Sequence, residues 1–131
     1  MSITFSAPFV LPRPHRDPIT SLQDALSVCA LAITRPLTTA LIVVMCDAQR
    51  RGVGLTSLDG ARLGDHVHEM IAACSAMLDV ESLIVAECRS HPMPDRIGEL
   101  RHARLACERA GLTLREVVVI ERGSIRVRED Q

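Results

Sequence analysis

Residues 86–95 read Ala-Glu-Cys-Arg-Ser-His-Pro-Met-Pro-Asp, so a thiol, an imidazole and two carboxylic acids crowd together just after an apolar run. Thiolate, imidazole and carboxylate are the ligands zinc prefers. Three of them leave the ion one open position for water, whose pKa it lowers to about 7. Cys88-x-x-His91, with His102 further along, is one candidate ligand set for a metallohydrolase. The plainer reading of Cys88 is a small residue ending a buried strand, and of His102 a solvated helix residue. A second pattern, His66-x-His68 followed by Asp79, lies within helical periodicity. Side chains two apart on a regular helix point about 200° apart, so this pair cannot chelate one ion.

Periodicity sets the elements that would position these residues. Residues 1–17 form a proline-rich arm whose Phe5, Phe9, Val10 and Leu11 suggest packing against something, and residues 18–131 form one domain. Leu22, Ala25, Leu26, Cys29 and Ile33 recur at helical spacing, with Thr20 or Ser21 to cap the start and Pro36 to stop the end. Ala40–Cys46 is apolar throughout and reads as a central strand; Asp47–Gly52 turns the chain, and Val53–Leu58 returns as a hairpin partner. Leu63, Val67, Met70, Ile71, Cys74 and Leu78 share one face of a second helix. Ser82–Cys88 is a strand, Asp95 caps a third helix over 96–110 with Gly111 closing it, Leu114–Ile120 is a strand, and Ser124–Val127 a short edge strand. The order α-β-β-α-β-α-β-β predicts an α/β (α+β) domain, a mixed sheet flanked by helices.

Composition narrows the functions. All fifteen basic residues are arginines, which excludes Schiff-base chemistry and a P-loop lysine. The net charge of −1, with two Phe and no Trp or Tyr, argues against nucleic acid as a partner and against a grip on anionic lipid. No apolar run reaches the roughly 18 residues of a membrane helix, and the N-terminus lacks the layout of a signal peptide. Five cysteines, an odd number scattered through apolar stretches, read as free core thiols in a reducing cytosol, so the expected location is cytoplasmic.

With these pieces in order, the chain resembles the JAB/MPN (JAMM) metalloprotease-like fold, and most closely its RadC-like branch. The matching text is PITSLQDALSV, LIVVMCDAQRR, DHVHEMI, SLIVAECRSHP and LREVVVI, spanning about residues 18–121. The resemblance implies a zinc site with an upstream Glu as proton shuttle, an H-x-H pair and a later Asp as ligands, and a supporting Ser. Carried over position by position, the Glu falls on Thr39, the first His on Arg89, the second on His91, the Asp on His102 and the Ser on Glu99. A shortened loop would bring Asp95 or Glu99 to that corner instead. Arginine has no electron pair to offer a cation.

Thr39, Arg89, Ser90, His91, Asp95 and Glu99 therefore outline a vestigial pocket, with no catalytic residue, no resident metal and no cofactor expected. Arg89 either fills the zinc position, pairing with Glu87, Asp95 or Glu99, or is a surface arginine. Glu99, Arg101, Arg104, Glu108 and Arg109 read as a solvated helix face, and the alternating tail 121–130 as an exposed edge, open to a second copy. The functional expectation is an inactive RadC-like module that binds a protein partner or itself. The alternative is a zinc-dependent, peptidase-like hydrolase with ligands rearranged to Cys88, His91 and His102.

Overall fold

The computed structural model describes residues 11–129, so Phe5, Phe9 and Val10 of the proline-rich arm lie outside the described residues. The elements follow the expected order: α1 (Leu22–Cys29), a 3-10 turn (Ala30–Ala32), β1 (Ala40–Cys46), β2 (Gly52–Asp59), α2 (Leu63–Ser75), β3 (Ser82–Cys88), α3 (Glu99–Arg109), β4 (Thr113–Glu121) and β5 (Ser124–Val127). The strands form one mixed sheet in the order β2-β1-β3-β4-β5; only β3 and β4 run parallel, with α3 as their crossover. The molecule is thus an α+β domain, and no helix among the described residues is long and apolar enough to cross a membrane.

β1 and β3 are buried along their whole length because helices cover both faces. Side chains alternate between two cores. Leu41, Val43, Met45, Leu83, Val85 and Val117 pack against α2 and α3. Ile42, Val44, Cys46, Ile84, Ala86, Cys88, Val118 and Ile120 pack against α1. All five cysteines are buried and unpaired with one another by disulfides. Burial pushes the thiols of Cys74, Cys88 and Cys107 up to about 11, and that of Cys29 up to about 12.

Local chemistry explains the boundaries. Ser21 caps α1, its hydroxyl accepting from the Asp24 N–H at 3.1 Å. Asp47 builds the β1–β2 turn by accepting from the backbone N–H groups of Gln49 and Arg51, both at 2.9 Å, and from Arg51 Nε at 2.9 Å. Arg115 ties the start of α1 to the sheet by donating from Nη2 to the Ile19 carbonyl at 2.7 Å.

Three sequence expectations are corrected. α1 ends at Cys29, so Ile33 lies past its helix. α2 ends at Ser75 and leaves Leu78 87% exposed, because the chain turns away through Asp79 at positive φ. α3 begins at Glu99 behind Gly98 at φ 80°, not at Arg96, and Asp95 caps nothing because arginines hold its carboxylate.

α2 and α3 meet where Gly64 faces Glu99. A Cβ built on Gly64 would stand 2.2 Å from Glu99 Oε2. That carboxylate cannot retreat, since its side chain is 2% exposed and Arg128 Nη1 holds its other oxygen at 2.5 Å. Gly→Ala inside a helix ordinarily gains up to about 1 kcal/mol. Here Gly64→Ala is expected to lose about 1–3 kcal/mol through overpacking, read as a lower urea midpoint; a stabilised variant would show that the contact is not tight.

Candidate functional site

The sheet's alternation continues past the end of β3. Arg89 N–H still donates to the Ile120 carbonyl of β4, at 2.9 Å, which keeps Arg89 in register. Glu87 and Arg89 therefore project on the α2/α3 side, whereas Cys88 between them joins the core beneath α1. Glu121 of β4 and Arg126 and Arg128, from β5 and just beyond it, reach the same cluster.

Arg89 is its centre. The residue is 0% exposed, as is Glu87. Arg89 Nε donates to Glu87 Oε1 at 2.7 Å, and Nη2 stands 2.7 Å from that oxygen and 2.9 Å from Asp95 Oδ1. Nη1 donates to the Met93 carbonyl at 2.7 Å and reaches Glu121 Oε1 at 3.4 Å. The loop after β3 thus wraps around one guanidinium. Glu87 Oε2 turns the other way and accepts from the Leu63 N–H at 3.3 Å, supplying a cap that α2 lacks from its own side chains.

A second layer closes the cluster. Arg126 grips Asp95 with two parallel bonds of 2.8 Å, and Arg128 pairs with Glu99 while lying 3.8 Å from Glu87 Oε2. Hydrogen bonding from Arg126 foremost, with Arg89 and the charge of Arg128 adding, holds the Asp95 carboxyl well below the ordinary carboxylate range, against burial that works the other way.

The expected pocket residues are distributed as follows. Arg89 and Asp95 meet, and the surface reading of Arg89 falls because the side chain is fully enclosed. Glu99 is buried rather than part of a solvated face, and it pairs with Arg128 instead of Arg89. Thr39, Ser90 and His91 form a chain on the rim: Thr39 Oγ1 lies 3.0 Å from Ser90 Oγ, which lies 3.0 Å from His91 Nδ1. His91 and His102 are exposed, and Cys88 is buried on the opposite face of the sheet, so these three do not converge. His66 Nδ1 accepts from the Arg62 N–H at 3.0 Å, at a kink in α2, while His68 is exposed.

Glu121, Arg126 and Arg128 were not expected in the site. The two-residue spacing of Arg126 and Arg128 puts both on one face of an extended chain, but it does not name Asp95 and Glu99 as their partners. The tail is correspondingly less exposed than its charge suggests, with Arg128 only 4% accessible.

For the zinc ion that the resemblance implies, these residues do not fit. The would-be first ligand is a buried cation, and the acids beside it are already spent on guanidinium groups. Among the described residues, no group of three His, Cys, Asp or Glu side chains is arranged to hold a metal. Comparison with protein-family models finds none that matches the chain, and comparison with curated proteins finds no significant match.

Two outcomes follow from the cluster. Arg89→Met leaves Glu87 buried without its cation and is expected to cost about 3–5 kcal/mol in urea unfolding. The double variant Glu87→Leu/Arg89→Met should recover part of that loss but not all, because the Leu63 N–H and Arg128 lose an acceptor. The second outcome concerns acid. The folded pKa of Asp95 lies below its unfolded value of about 3.9, so its stabilisation is complete above that pH and drains away as pH falls toward the folded value. Asp95→Asn should lower the urea midpoint at pH 7 and flatten its decline between pH 5 and 3. A wild-type slope in that variant would place the acid sensitivity elsewhere.

Proposed function

We propose that the chain is a non-hydrolytic RadC-like JAB domain that acts as a binding or scaffold module. The observation that carries this reading is the enclosed Arg89 guanidinium, held by Glu87, Asp95 and the Met93 carbonyl at the position where the resemblance calls for a metal ligand. Hydrolysis in that family requires electron-pair donors around zinc and a carboxylate to take a proton from its water. Arg89 can donate hydrogen bonds only, and Thr39 supplies no carboxylate across from it. A dication entering beside Arg89 would meet a fixed positive charge and acids already engaged. The retained order of hairpin, helix, strand, loop and crossover helix supports a domain kept for its shape.

The alternative hydrolase would need Cys88, His91 and His102 around one ion. Burial favours the protonated Cys88 thiol, whereas zinc takes the thiolate. Elemental analysis of the purified full chain tests the choice. Zinc well below one per chain is expected, with no rise in melting temperature on adding zinc and no change in His91→Ala. One tightly held zinc per chain, lost in His91→Ala together with peptidase activity, would overturn the module reading.

A further inference from the structure

The sheet has two edges, and they are built differently. β5 spans Ser124–Val127, with Arg126 and the following Arg128 turned in to Asp95 and Glu99. Inward-held charges and short length are how proteins blunt an edge against further strands. β2 is the longer, Gly52–Asp59, and before Asp59 it contains no charged residue and no proline. Among the described residues, the arm from Leu11 onward covers only its beginning: the His15 N–H donates to the Gly52 carbonyl at 2.9 Å, and Pro18 bridges to Arg51. From Val53 to Asp59, no strand among the described residues lies beyond β2 in the sheet.

Exposed apolar side chains gather along this same edge on both faces. On the α1 face, Leu55 (38% exposed), Leu31 (66%) and Leu11 (41%) border a cavity of about 320 Å³ floored by Val28 and Val44. On the α2 face, Met77 lies over Gly54, where a built Cβ would stand 2.7 Å from its Sδ, and Leu78 follows at 87% exposed. An open edge flanked by apolar groups on both sides calls for another strand that brings its own flanks.

The charge pattern says which strand. The covered end of β2 is basic, with Arg16 and Arg50 exposed beside it, and the free end is Asp59. Such a strand complements its own reverse. We propose that two copies of this chain pair β2 to β2, antiparallel about a two-fold axis at Thr56, to make one continuous sheet. Pairing of 53–59 with itself sets Asp59 of the second copy beside Val53, next to the basic arm, and sets Leu55 opposite Ser57 and diagonal to the second copy's Leu55, on the face where Leu31 borders the same cavity. This deepens the binding role proposed above by naming a partner, yet the β2 edge includes no residue of the Arg89 cluster, so zinc content and chain mass fail independently.

Light scattering on the full chain is expected to give twice the 14.3 kDa chain mass. Thr56→Lys should give a monomer with unchanged far-ultraviolet circular dichroism, and Leu31→Arg, at a surface position, should weaken the dimer at least tenfold. Independently of any variant, amides of 53–59 should exchange hydrogen faster on dilution while those of β5 do not. A monomer at roughly 100 µM, an affinity weaker than about 5.5 kcal/mol, would overturn the proposal. So would a folded Thr56→Lys dimer, or concentration-dependent protection at β5 instead of β2.

Discussion

Burying a guanidinium in a protein of this size imposes a constraint that reaches most of the site. Arg89 cannot shed its proton, so every acceptor that water would offer must come from the fold. The fold supplies Glu87 two residues back on the same strand, Asp95 and the Met93 carbonyl from the loop, and Glu121 from the neighbouring parallel strand. Each acceptor has its own requirement in turn. Asp95 and Glu121 draw in Arg126, and Glu87 draws in Arg128, which also pairs with Glu99 beside Gly64. The short last strand and the segment after it are thereby fixed by electrostatics from one side and by a few apolar side chains from the other.

That network sits on one face of the sheet for a geometric reason. Side chains alternate at a period of two, so Glu87 and Arg89 leave Cys88 for the other face, where it packs beneath α1 near Cys29. One face keeps an unbroken aliphatic and thiol core. The other gives up the strand ends to charge, with α2 and α3 covering the remainder. Desolvating these ions costs several kcal/mol apiece, which ion pairing at short distance offsets rather than exceeds. Such a cluster serves geometry more than stability: it fixes where the loop, the start of α2 and the C-terminal segment lie relative to one another.

Much of this fold was legible in the sequence, and the failures share a cause. β1 and β3 fell within their expected bounds because long apolar runs rich in Val and Ile have few alternatives. Asp95 was misread as a cap and Glu99 as solvated because both judgements rest on local spacing. Local spacing carries no information about Arg126 and Arg128, which approach from the far end of the chain. Leu78 extended the apolar stripe of α2 on paper, but the backbone leaves the helix before reaching it. Arg89 was legible as a possible internal cation only beside the family resemblance; its complete enclosure depends on a loop whose course no periodicity describes.

Acids gathered at the ends of strands can be neutralised in more than one way, and the choice decides what chemistry follows. A metal ion is held by equilibrium, so such a pocket is alternately filled and empty, and when filled it polarises water. A guanidinium is held by covalent bonds, so the charge is always present and the fold never depends on an ion supply. The same permanence removes reactivity, because a delocalised cation of pKa above 12 offers neither an open coordination site nor a proton at neutral pH. With Glu87, Asp95 and Glu121 paired to Arg89, the charge of this guanidinium is matched from within the fold, although Glu99 Oε2 beside it stays buried without a hydrogen-bond partner. Among the described residues, unpaired backbone groups lie at the other side of the sheet, along the outer edge of β2.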